Sequence, residues 1–125
     1  MTGLLVAFLA VHGLLHLAIW VPRPQPADAP PFHPDHSAVL TAAHAPADTV
    51  RTLVLALATG TAATYLLAGV AVSLGTGWAP SAALAAAVLW LLLKGLYFHP
   101  WLLLGIALDS LVLAAAVTEW PIGLV

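Results

Sequence analysis

From Gly3 to Val21 the chain reads GLLVAFLAVHGLLHLAIWV, about 19 consecutive positions without a formal charge. As a helix rising 1.5 Å per residue, such a run crosses the ~30 Å hydrocarbon core of a bilayer. Comparable runs follow at about 49–74, 81–98 and 101–120. Little is left of the 125 residues from which to build a water-soluble domain, since only 6% carry a charge. Ordinary soluble domains carry about 25%, and need them to clothe a core. The sequence therefore predicts an all-α polytopic membrane protein, one transmembrane domain over 1–125. Four transmembrane helices form its bundle, with a Pro-rich loop between the first and second. The first run is not expected to be a cleaved leader, because its nearest basic residue, Arg23, follows the apolar segment instead of preceding it.

The character changes between positions 22 and 47. Seven prolines (22, 24, 26, 30, 31, 34 and 46), three of the six histidines, Asp28 and Asp35 mark a loop outside the hydrocarbon. Within it, SAVLTAAHA (37–45) is expected to form a short interfacial helix capped by Ser37. Asp48 is the expected N-cap of the second span, along which Ala56, Gly60 and Thr64 form a small-residue stripe for close helix approach. GTGWAP (75–80) is short enough to make the second and third spans antiparallel neighbours. The His99-Pro100 pair separates the third from the fourth, because proline lacks an N–H and disfavours helix in the residue before it.

Orientation rests on Arg23, Arg51 and Lys94, which this topology puts on one side. The positive-inside rule makes that side cytoplasmic, with both termini outside. Trp20, Tyr97, Phe98 and Trp101 would then form the inner aromatic belt, and Trp78 and Trp120 the outer one. The abundance of Ala, Leu, Val and Pro suits a GC-rich bacterial genome, so the expected location is a bacterial cytoplasmic membrane. A net charge of −2 with no basic stripe excludes nucleic acid as a partner. The lack of cysteine excludes disulfides, thiolate metal sites and cysteine nucleophiles, and the lack of asparagine excludes N-glycosylation.

Polar side chains inside the spans are the candidates for chemistry. His12 and His16 lie one turn apart on one helix face. Asp109, ten residues past His99 and hence about 15 Å deep, comes level with His12. An ionised carboxylate there costs at least about 2.5–3.5 kcal/mol unless it turns inward and pairs. His12, His16, His99 and Asp109 are thus the expected polar cluster, either as relay members, anchors and ligands or as residues that hydrogen-bond between helices. Lys94 is expected either to form a salt bridge with Asp109 or to snorkel to the boundary. Histidine at i, i+4 suits a transition metal, with His12 and His16 as ligands and His33 and His36 of FHPDHS as a weak clamp around Asp35. FHPDHS reads equally well as a turn before a helix. Haem fits less well, since its two axial ligands must come from opposite faces. No HExxH motif, Ser-His-Asp order or phosphate loop occurs.

Taken together, HGLLHL, PRP, FHPDHS, VRTL and FHPWLLLGIALDSLVL resemble an uncharacterised family of small four-helix bacterial integral membrane proteins, mostly actinobacterial. The resemblance covers the first 54 residues and about the last 30. It implies the four-span topology and transfers no functional residue. The leading function is a small, non-enzymatic membrane subunit or binding protein that packs against partner helices, as a homo-oligomer or with other subunits, or holds a hydrophobic ligand. The alternatives are a membrane-embedded metal or redox enzyme, or its cofactor anchor, and a proton-coupled carrier working as a homodimer.

Overall fold

The computed structural model describes residues 2–21, 33–34 and 36–118. They form α1 (Thr2–Trp20), α2 (Ala38–Ala42), α3 (Ala47–Ser73), α4 (Ala79–Leu96), a 3-10 turn (Pro100–Leu102) and α5 (Leu103–Val117). The protein is all-α, and four of its segments, α1, α3, α4 and the 3-10 turn with α5, are long and apolar enough to cross a membrane. Arg23, Asp28, Asp35, Glu119 and Trp120 lie outside the described residues.

Local chemistry sets the helix ends. Ser37, in extended backbone, accepts from the Leu40 N–H at 3.1 Å and so caps α2. Its hydroxyl also donates to the Leu96 carbonyl, which ties α2 to the last turn of α4. At the far end of α2, His44 takes a left-handed φ of 57°, while His44 N–H bonds Thr41 O and Ala45 N–H bonds Leu40 O. That is a Schellman stop with histidine in the place glycine usually takes. Gly75 (φ 62°) ends α3 in the same way, with Thr76 N–H on Ala71 O. One boundary differs from expectation: α3 begins at Ala47 after Pro46, so Asp48 is not its N-cap but an exposed acid of its first turn. There it complements the helix dipole instead of closing an N–H. α4 stops at Leu96, and His99 is extended (φ −143°), as the following Pro100 requires.

The helices pack in the order α1 on α3, α3 on α4 and α4 on α5. α1 meets α3 closely at Gly13, where a Cβ would stand 2.8 Å from Tyr65 Cβ and 3.2 Å from Ala62 O. The expected small-residue stripe is corrected here. Ala56 is exposed, and nothing lies within 4 Å of a Cβ placed on Gly60. The buried face of α3 runs instead through Val54, Ala58, Thr61, Ala62, Tyr65, Ala68 and Gly69. It carries a tyrosine because the space is conceded by Gly13 on the facing helix.

Two apolar clusters result. One, around Trp20, Val54, Trp90 and Tyr97, lies toward the α2 end, and the other, around Leu9, Ala68, Ala71 and Ala86, lies toward the α3–α4 turn. The buried residues of α1 are Leu9, His12, Gly13, His16 and Trp20, so its inward stripe is more polar than its outward one, where Leu4, Val11, Leu14 and Leu15 are exposed. This inverted pattern is costly in water and favourable in lipid.

Candidate functional site

Between the two apolar clusters sits a knot of polar side chains drawn from four helices. Asp109 is its centre: fully buried, and the only buried residue among those described on α5. Its Oδ1 pairs with His12 Nε2 at 2.7 Å and accepts from the Tyr65 hydroxyl at 2.7 Å. Its Oδ2 accepts from Lys94 Nζ at 3.2 Å. One carboxylate thus gathers a donor from each of α1, α3 and α4. A carboxylate only accepts, so His12 Nε2 carries the proton it shares. Each bond to an ionised acceptor is stronger than its neutral equivalent, and their number offsets the cost of holding the charge away from water.

Lys94 is 1% exposed although it stands in the last turn of α4. It runs inward to Asp109, not outward to the boundary, and its ammonium lies 3.6 Å from the centre of the Trp90 ring. Gly105, one turn before Asp109, makes room for it: a Cβ there would collide with Lys94 Nζ. The direction follows from helix geometry, since side chains lean toward the N-terminus of their own helix. In α4 that lean carries the lysine deeper into the bundle.

His16, 2% exposed, completes the group in a different way. Its Nδ1 lies 2.7 Å from the His12 carbonyl, which can only accept, so Nδ1 carries the hydrogen and a neutral ring leaves Nε2 bare. That nitrogen is buried without a hydrogen-bond partner among the described residues. The His16 ring packs on Trp90 at 3.9 Å and on Tyr65 at 5.5 Å between centroids. Phe8 stacks on His12 at 5.3 Å, over the histidine that retains 7% exposure.

Of the residues singled out in the sequence, His12, His16, Lys94 and Asp109 are brought together here. One ligand atom from each of His12, His16 and Asp109 falls within 4.8 Å of the others, which among the described residues makes the one group of three able to hold a metal. His99 is not part of that group. Its Nδ1 accepts from Trp101 N–H at 3.2 Å and so caps the 3-10 turn. His33 and His36 are exposed, joined by a backbone bond of 3.1 Å ahead of Ser37, and do not belong to it either. Tyr65 and Trp90 escaped the sequence reading. Their signal was position: each sits in mid-span, away from any interface, and inside the bundle Tyr65 donates to Asp109 while Trp90 offers its ring to the Lys94 ammonium.

The fold and the site define a small multi-pass integral membrane protein with a buried, charge-paired polar centre. Comparison with known proteins adds no relative: no family model matches the chain, and no curated protein or solved structure matches it significantly.

Proposed function

We propose that this chain is a small, non-enzymatic integral membrane subunit whose four spans are fastened into one body by Asp109, in an assembly with other membrane chains or further copies of itself. The observation that carries this reading is the convergence on Asp109 of one donor from each of three other helices. Both of its oxygens accept and its charge is matched by Lys94, an arrangement suited to holding helices in register. Small multi-span subunits gain from such a device, because the hydrophobic effect does not drive helices together in lipid and packing and interhelical hydrogen bonds must do so. The outer face of α5, with Leu103, Leu104, Leu111 and Val117 each more than half exposed, suits lipid or a neighbouring helix. Native mass spectrometry of the protein extracted in mild detergent is expected to give a discrete assembly heavier than one chain, which Asp109→Leu dissolves. A chain that runs only as a monomer would overturn the subunit reading.

For location we propose a bacterial cytoplasmic membrane with the 22–47 loop inside and both termini outside, in keeping with the family resemblance and with Arg23 and Arg51, which flank that loop, Lys94 being spent on the buried pair with Asp109. Because the chain has no cysteine, single cysteines at Ala29 and Gly77 report sidedness directly. An impermeant thiol reagent is expected to label the Gly77 variant in intact cells and the Ala29 variant only after lysis. The opposite result would reverse the orientation.

A further inference from the structure

We infer that the knot is also a binding site for a divalent late first-row transition metal, ligated by His12 Nε2, His16 Nε2 and Asp109 Oδ1, with the Lys94 ammonium as the cation that the metal replaces. It adds a ligand to the cluster proposed above as a fastener, and failure to bind metal would leave the fastening role standing.

Three observations carry it. First, one ligand atom from each of the three side chains lies within 4.8 Å of the others, all three residues being buried. Tetrahedral bonds of about 2.0–2.1 Å set neighbouring ligands about 3.4 Å apart. The His12–Asp109 edge is 2.7 Å with a proton shared, so tetrahedral ligation requires this edge to widen and the longer ones to shorten by side-chain torsion. Second, His16 is set up as metal-bound histidines are: Nδ1–H donates to a backbone carbonyl, which fixes the tautomer and leaves Nε2 as the ring's free lone pair. That Nε2 is desolvated and unpartnered, a state that coordination to a Lewis acid relieves. Third, the charges permit exchange. Beside the Asp109 carboxylate a dication leaves one excess positive charge if the ammonium departs and two if it stays, so departure of Lys94 is the cheaper state in a low dielectric. Lys94 stands in the last turn of α4 and can swing to the membrane boundary, as lysines near helix ends do. Two imidazoles and one carboxylate suit zinc, nickel or copper better than magnesium or calcium, which prefer all-oxygen sets. Binding moves the His12 hydrogen from Nε2 to Nδ1, because a ligating nitrogen must be bare and a neutral imidazole keeps one N–H.

The test is equilibrium dialysis of the detergent-purified protein against Zn2+, with elemental analysis. We expect about one zinc per chain, retained when His33 and His36 are both changed to alanine and lost in His16→Ala. His16→Gln, which keeps an N–H for the His12 carbonyl, is expected to lose zinc while melting near the metal-free wild type, so that lost binding is separated from lost folding. Lys94→Met removes the competing cation and is expected to bind at least about tenfold more tightly. Absence of zinc from both wild type and Lys94→Met would overturn the inference. So would zinc that survives His16→Ala, zinc bound by Lys94→Met alone, or an affinity unchanged by Lys94→Met.

Discussion

Asp109→Leu is expected to destabilise the bundle by about 3–5 kcal/mol, the range for breaking a buried ion pair by removing one partner. The leucine leaves the Lys94 ammonium without its carboxylate, and Tyr65 and His12 without their shared acceptor. A single neutral contact between membrane helices is worth only about 0.6–2 kcal/mol, so the size of the loss separates a charged knot from an ordinary interhelical hydrogen bond. Asp109→Asn retains a carbonyl that can accept from the same donors and is expected to melt between wild type and Asp109→Leu. The double variant Asp109→Leu/Lys94→Met is expected to recover most of the loss, because exchanging a whole buried pair for apolar groups is often close to neutral. Thermal unfolding in detergent, followed by circular dichroism, provides the double-mutant cycle. Additive losses would show that Lys94 and Asp109 are not coupled.

Gly13→Ala is expected to cost about 1–3 kcal/mol, the usual penalty for overpacking a tight contact. The added methyl would lie 2.8 Å from Tyr65 Cβ and 3.2 Å from the Ala62 carbonyl, both attached to or part of the α3 backbone, so neither can yield without moving the helix. Displacement of α3 would draw the Tyr65 hydroxyl away from Asp109. Gly60→Ala, on the same helix pair but in open space, is the matched control and is expected to be neutral or slightly stabilising, since alanine is the better helix former. A Gly13→Ala protein that melts with wild type would show that α1 and α3 are not held at this distance.

These two experiments bear on different halves of what can be read from the chain. The spans were legible in the sequence because membrane insertion depends on the local sum of apolar side chains, and runs such as 3–21 carry that sum in their own residues. The break at His99-Pro100 and the Ser37 cap were legible for the same reason: proline sterics and capping act within a few residues. Asp109 announced itself by its cost in hydrocarbon, and helix rise alone placed it level with His12. Which way each helix turns was not legible. In an almost uniformly apolar helix no stripe distinguishes inside from outside, so the visible small residues Ala56, Gly60 and Thr64 pointed to a face that packing did not choose. Tertiary structure decided that Gly13 would receive Tyr65, that Gly105 would clear a path for Lys94, and that His99 would cap a turn instead of joining the buried histidines. Each of those outcomes depends on the rotation of one helix against another, set by shape complementarity and buried hydrogen bonds between residues as far apart as His12 and Asp109.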